Sequence, residues 1–448
     1  MYVGAVVVLV WHSVPYVYAS NEPHPASART EGFPQAYPHM MLPPEEVSIH
    51  TQSAVLMDGL TGDVLLAHNP HLHIAPASFV KLLSLYVIFD ALQHGKLRLE
   101  DEVYVSKKAW QTHGSKMFIE VNEKVPVEEL LKGIAVVSGN DATVAMAEHL
   151  YGDTATFVQV MNKYAQHLGM THSFFTNPHG LPNAKQVTTA YDMAVLARQY
   201  VNQFPQALRY HTMQEYTYAG ITQQNRNGLL KRYDAVDGLK TGWVVESGYN
   251  LAATANRDHH RLIAVVMGAR TPAMRERETL KLLNYGYQNF ALLPFMEPGE
   301  VLTELPVWKG LQNLVPVVAS DRSVMVIPRE YTDRVQTVRV LPQDLVAPIE
   351  KNQVLGKLLV TIGTQHVHSI PLIAGMSIGK AGFFKTLGHD IYRRGFDSVH
   401  IWFVVTGSMV SLGLMTAIVV IVGKKKRRRR PLHRRLGRRR MMRNRLVR

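Results

Sequence analysis

The 448-residue chain contains no cysteine, which excludes disulfide frameworks, thiolate metal centres and cysteine nucleophiles. Its last 25 residues, Lys424 to Arg448, contain no acid but 15 of the 49 Lys+Arg. The first 423 residues therefore hold 34 basic and 35 acidic side chains, and the formal net charge of +14 belongs to a tail. A nearly neutral body removes the case for nucleic acid that a uniformly basic chain would make. The tail lacks the interleaved aromatics that stack on bases, so no specific nucleic-acid partner is expected. No charge occurs from Ile401 to Gly423, and no Glu from His149 to Gln214. A hydrophobic content of 46% excludes a mainly disordered chain.

What is present organises around the uncharged run. Ile401 to Gly423 would span roughly 35 Å as a helix, enough to cross a bilayer core of about 30 Å. Trp402 lies near one end and Lys424-Lys425-Lys426-Arg427 at the other, so the basic tail 424–448 is expected in the cytoplasm and the rest outside. Tyr2 to Tyr18 is a short apolar stretch with small residues near Ala19, read as a signal peptide over 1–19 with an n-region that lacks Lys or Arg, a retained anchor being the alternative that its length and Pro15 fit less well. Residues 20–46 hold several prolines and read as an extended linker.

Between these termini, Ala54–Met57 and Val64–Ala67 flank a Gly-containing turn and predict paired strands. The run from Pro76 to Leu92 is apolar on every face and predicts a helix buried all round. Further helices are expected over 126–137, 141–150, 154–168, 189–199 and 275–289, and strands over 249–255 and 262–269. From about Met296 the texture changes to short alternating strands separated by Pro, Gly and charged turns, an all-β module. Gly382 to Phe396 gathers Phe383, Phe384, Leu387, Ile391 and Phe396 near one helical face, suited to a membrane surface.

Lys81 is the only basic residue in the apolar Pro76–Leu92 run, and burial there should lower its pKa toward that of a usable base. Ser78 precedes it by three residues, which puts both side chains on one helix face. A serine hydroxyl needs such a neighbouring base to become a nucleophile. Taken alone, Ser-x-x-Lys is a weak signal, and a helix N-cap is the plainer account of Ser78. Two further motifs alter that balance. Ser138-Gly139-Asn140 falls in a turn between apolar helical stretches, and Lys240-Thr241-Gly242 begins what reads as an edge strand, followed by Trp243. The order Ser-x-x-Lys, Ser-x-Asn, Lys-Thr-Gly, separated by 60 and 102 residues, is a serine acyl-transfer constellation. Other signals are bland: His71-Leu72-His73 reads as a solvated loop rather than a metal site, and Asp192 as an acid in the first turn of a helix.

With these motifs the sequence resembles the low-molecular-weight penicillin-binding proteins, specifically the D-alanyl-D-alanine carboxypeptidases, over residues 47–396. The runs Gly220–Leu230, Val236–Gly242 and Arg261–Gly268 carry the likeness further. The resemblance implies an α+β fold: a penicillin-recognising catalytic domain (47–295), an all-β domain (296–380), an amphipathic juxtamembrane segment (381–400) and a transmembrane helix (401–423). It implies that Lys81 deprotonates Ser78, that Ser138 relays a proton, and that Asn140, Lys240, Thr241, Gly242, Trp243 and Arg275 bind substrate, with no cofactor and no metal. The implied substrate is a peptidoglycan pentapeptide and the implied inhibitors are β-lactams. The implied location is a bacterial plasma membrane, with the enzyme outside. Two departures stand out: Trp243 follows Lys-Thr-Gly where relatives often carry His or Thr, and the usual His near Gln186 is absent. A β-lactamase, a DD-endopeptidase and an inactive wall-binding scaffold are the alternatives. The missing Glu between residues 149 and 214 argues against the first, and the intact motifs against the last.

Overall fold

The computed structural model describes residues 47–363, 365–386 and 398–428. The expected signal peptide, the Pro-rich linker, most of the amphipathic segment and the end of the basic tail lie outside these residues. The chain opens with a hairpin, β1 (Ser53–Asp58) and β2 (Val64–His68), its turn fixed by Asp58 Oδ1, which accepts from the N–H groups of Leu60 and Thr61. A 3₁₀ turn, Ala77–Phe79, leads into α1 (Val80–Gln93). Next come β3 (Glu102–Tyr104), α2 (Lys107–Gln111), β4 (Lys124–Pro126), α3 (Val127–Ala135), α4 (Asn140–Tyr151), α5 (Thr154–His167), α6 (Ala190–Gln203) and α7 (Leu208–His211). The hairpin β5 (Glu215–Tyr218) and β6 (Ile221–Gln224) precedes three long strands, β7 (Val236–Val244), β8 (Gly248–Arg257) and β9 (His260–Ala269), and α8 (Pro272–Asn289).

The long strands and the first hairpin form one antiparallel sheet in the order β2-β1-β9-β8-β7, so β7 is an edge strand, as its motif predicted. Successive side chains of a strand face opposite sides, and here the alternation divides two cores. Val55, Met57, Ile263, Val265 and Met267 face the helical layer built on α1 and α6, whereas Ala54, Leu56, Leu262, Ala264 and Val266 face α8. Helix α1 is buried from Val80 to Phe89, in line with its uniformly apolar sequence. Each large apolar side chain removed from water there contributes roughly 1.5–3 kcal/mol. Helix ends follow from capping chemistry: Asp153 and Thr189 accept N–H bonds at the starts of α5 and α6. α6 runs beyond the expected Gln199 because Tyr200 and Val201 continue its buried face.

A second region contains β10 (Phe290–Met296), β11 (Val301–Trp308), β12 (Leu314–Ala319), β13 (Ser323–Pro328), β14 (Val335–Val340), β15 (Leu345–Val346), β16 (Val354–Ile362) and β17 (Gln365–Ala374). Six strands form a sheet in the order β14-β16-β17-β12-β11-β15, and β10 pairs with β13. The alternating texture read from about Met296 is therefore all-β, with its pairing already begun at Phe290. The helix Ser398–Arg428 closes the described chain, and its Val405–Lys425 part has a mean hydropathy of 2.2, long and apolar enough to cross a membrane.

Candidate active site

The site is built where α1 begins against edge strand β7. Pro76 starts the turn that carries Ser78, and Ala77 adopts a left-handed backbone with φ of 50°. Ser78 is half-buried and caps no helix N–H; its Oγ instead accepts a 3.1 Å hydrogen bond from Lys81 Nζ. Lys81 is fully buried, and Nζ also donates to the carbonyl of His179 at 2.5 Å. Its pKa lies well below the ordinary lysine value, first because burial disfavours the ammonium and next because Lys240 and Arg226 add like charge. The nearby Asp141 acts in the opposite sense.

Strand β7 passes close to this turn. A Cβ on Gly242 would lie 3.3 Å from both Ala77 Cβ and Pro76 O, so the Lys-Thr-Gly motif sits against the residues just before the serine. The motif falls inside β7 rather than at its start, because Val236 to Leu239 already pair with β8. Lys240 is buried and donates to the Thr241 carbonyl at 3.1 Å. Desolvation, reinforced by Arg226 and Arg275, lowers its pKa to about 7. Thr241 is buried beside it, and Trp243 is 53% exposed, its ring 5.9 Å from that of Tyr249 across the β7–β8 pair.

The Ser-x-Asn turn forms another wall. Ser138 has φ of 63°, a left-handed conformation that a non-glycine residue rarely holds without support. Just beyond it, the buried Asp141 carboxylate accepts from the N–H groups of Met117, Phe118 and Ala142, each at 2.9 Å, and ties the start of α4 to the Met117 segment. Asn140 Nδ2 donates to the His113 carbonyl at 2.6 Å. Among the described residues, Ser138 Oγ and Asn140 Oδ1 are buried without a hydrogen-bond partner, as groups that await a ligand would be. An Asp141→Asn substitution turns one acceptor oxygen into a donor facing backbone N–H groups, at a cost of about 1–3 kcal/mol. The melting temperature should fall by roughly 3–10 °C in thermal unfolding; an unchanged value would contradict this role.

Arg275, in the first turns of α8, is buried and donates to the Arg226 carbonyl at 2.9 Å and to Glu276, while its Nε has no partner among the described residues. Burial lowers its pKa to about 10. Lys81, Lys240, Arg226 and Arg275 thus set up a positive field at one place, with Lys240 influenced by both arginines.

Several contributors were not singled out by the sequence. Gly180 has φ of +90°, and a Cβ there would lie 1.8 Å from Ala77 O and 2.9 Å from Ser78 N. The segment it belongs to is tied to α1 through Lys81 on His179 O and Ser84 Oγ on Pro178 O at 2.6 Å. Gln186, at the position noted for its missing histidine, is buried within this loop. Its Oε1 accepts from Thr176 and Asn177 N–H, and its Nε2 donates to Leu181 O. Asn227 donates to Gly238 O and His211 contacts Leu239 O, so both brace β7. No motif signals these roles, because each acts through backbone groups distant in sequence.

The weaker signals resolve locally. His71 and His73 are exposed with their rings against His172, and among the described residues no three His, Asp or Glu side chains converge to hold a metal. Asp192 does sit in the first turn of α6, and its carboxylate also accepts from His172 N and Ser173 Oγ.

The D-alanyl-D-alanine carboxypeptidase family profile matches residues 40–271, and that of the penicillin-binding protein 5 C-terminal domain matches residues 290–380. A D-alanyl-D-alanine carboxypeptidase of Haemophilus influenzae is 38% identical over 345 residues, covering 76% of this chain and 88% of the relative. The crystal structure of penicillin-binding protein 5 from Haemophilus influenzae superposes with a TM-score of 0.69 at 38% identity, over 74% of this chain and 98% of that one. Penicillin-binding protein D2 from Listeria monocytogenes, solved in an ampicillin-bound form, gives a TM-score of 0.50 at 25% identity, over 54% and 98% respectively. With the fold, both profiles and the extent of these matches in agreement, the chain belongs to the D-alanyl-D-alanine carboxypeptidase family of serine peptidases.

Proposed function

We propose that Ser78 is the nucleophile of a D-Ala-D-Ala carboxypeptidase acting on peptidoglycan stem peptides. The observation that carries the assignment is the buried Lys81 amine, 3.1 Å from Ser78 Oγ and held at depressed basicity beside two further cations. Neutral Lys81 takes the hydroxyl proton as Oγ bonds to the carbonyl carbon between the two terminal D-alanines. The backbone N–H groups of Ser78 and Trp243 hold the oxyanion. Collapse breaks the C–N bond, and the departing amine receives a proton relayed through Ser138. Water then hydrolyses the ester and releases the shortened peptide. Asn140 holds the substrate amide. Lys240, Thr241 and Arg275 hold the terminal carboxylate, with guanidinium the side chain best matched to it. Gly242 keeps β7 close enough to Ala77 for the Trp243 N–H to serve. The same steps, begun on a β-lactam carbonyl, give a covalent adduct, consistent with the ampicillin-bound form of the Listeria relative.

The C-terminal helix then anchors the enzyme in the bacterial plasma membrane, with the basic tail cytoplasmic and the catalytic domain outside, a sidedness supported by the charge asymmetry across the span. The test is incubation of the full chain in detergent with a pentapeptide ending in D-Ala-D-Ala. Stoichiometric free D-alanine is expected; cleavage confined to crosslinked dimers would replace the assignment with an endopeptidase.

The pH profile has a definite shape. Lys81 must be neutral, so kcat/KM rises with pH through its lowered pKa. Lys240 must be charged to attract a carboxylate, and its pKa of about 7 in the free enzyme puts a descending limb there. The profile of kcat/KM is therefore bell-shaped. The descending limb of kcat lies at higher pH, because bound carboxylate stabilises the ammonium. A monotonic rise of kcat/KM to pH 10 would contradict the role of Lys240.

A further inference from the structure

The turn between β11 and β12 carries an exposed apolar tip that catalysis does not use. Leu311 is 65% exposed and Leu314 is also exposed. The turn is not a loose loop. Leu311 N–H donates to Gly379 O at 2.9 Å, Ala381 N–H donates to Lys309 O at 2.8 Å, and Gly310 forms a β-bridge with Lys380. Lys385 Nζ donates to Leu311 O at 3.0 Å, tying the same tip to the segment in which Phe383 and Phe384 are 72% and 88% exposed. Two pieces of chain, some seventy residues apart, thus present leucine and phenylalanine side chains from one hydrogen-bonded unit, with Lys380 and Lys385 close by.

We propose that this unit is a membrane-docking foot, in which the Leu311 turn of the β region enters the bilayer interface together with Phe383 and Phe384. The reading rests on the helix Ser398–Arg428 as a membrane anchor and extends it to a part of the folded β region. Eleven residues separate Thr386 from Ser398. Even fully extended they reach no more than about 40 Å, so an anchored chain keeps the foot near the bilayer. Exposed apolar side chains with lysines beside them match a surface whose interior takes leucine and phenylalanine and whose headgroups are anionic. The proposed partner is therefore anionic lipid.

The cysteine-free chain allows a direct test. Full-length Leu311→Cys carries a single thiol for an environment-sensitive fluorophore, and Val338→Cys, on exposed strand β14, gives the comparison site. Both are reconstituted into phosphatidylethanolamine–phosphatidylglycerol vesicles with doxyl-labelled lipids. The Leu311 probe should show blue-shifted emission and at least twofold stronger quenching than the Val338 probe. Replacement of Phe384 by Asp in the Leu311→Cys chain should reduce that quenching by half or more. Floating protein whose two probes behave alike overturns the foot while leaving the anchor standing. Protein that fails to float with the vesicles overturns the anchor and the foot with it.

Discussion

Lys81→Ala lowers the rate of acylation by penicillin about 10³-fold, within the range by which a positioned base accelerates proton transfer. Lys81 Nζ is 3.1 Å from Ser78 Oγ, and among the described residues no other side chain donates to that oxygen. Lys81→Arg should fail to the same degree, because guanidinium keeps its proton and cannot accept one from serine. That pair of variants separates a base from a mere positive charge. An arginine variant retaining a tenth of the native rate in stopped-flow acylation would sink the assignment.

Lys81→Ala keeps the fold, because it removes a buried charge. The folded-state pKa of Lys81 is depressed, so between that value and the ordinary lysine value the unfolded chain binds more protons. Stability therefore rises with pH across that window, and below it the full penalty of burying an ammonium remains. Alanine removes this penalty and leaves the His179 carbonyl without its donor, a loss of about 1–3 kcal/mol that opposes the gain. The melting temperature of Lys81→Ala should stay within a few degrees of the native value, and its dependence on pH should flatten.

Gly180→Ala is expected to damage both stability and chemistry. A methyl there meets backbone atoms, with Ala77 O at 1.8 Å and Ser78 N at 2.9 Å, so no rotamer change relieves the clash. The backbone φ of +90° adds strain for any L side chain. Overpacking and strain together cost roughly 3–5 kcal/mol. That corresponds to a fall of roughly 10 °C in melting temperature. The displaced group includes the N–H of Ser78, and loss of one oxyanion donor slows acylation about 10²–10³-fold. Gly169 supplies the comparison: its φ is +79° but nothing lies within 4 Å of a Cβ there. Gly169→Ala should cost about 1 kcal/mol and leave acylation unchanged. Equal effects of the two substitutions on rate would contradict the placement of Gly180 against the nucleophile.

These two expectations mark what the sequence could and could not reveal. Ser78 and Lys81 were legible because helix geometry converts a spacing of three into contact, and an apolar run foretells the burial that weakens the base. Lys240 was legible because its motif followed the other two in order and fell in a segment that read as an edge strand. Gly180, His179 and Asp141 were not. Each supports the site with a backbone carbonyl, a missing side chain or an accepted N–H, and none of these leaves a spacing pattern. Arg226 lay within a run that resembled the family, yet its charge matters only through its approach to Lys81 and Lys240. The long amphipathic and uniformly apolar segments gave their type away. The hairpin β5–β6 did not, since Ile221-Thr222-Gln223-Gln224 has neither a buried face nor a clear alternation.

Ser78 is the residue proposed to carry the acyl group. Reaction of the full chain with a penicillin, followed by proteolysis and mass spectrometry, tests it most directly. One penicilloyl adduct per chain is expected, carried on Ser78 and absent from Ser78→Ala. An adduct on another residue, or one that persists in Ser78→Ala, would contradict it.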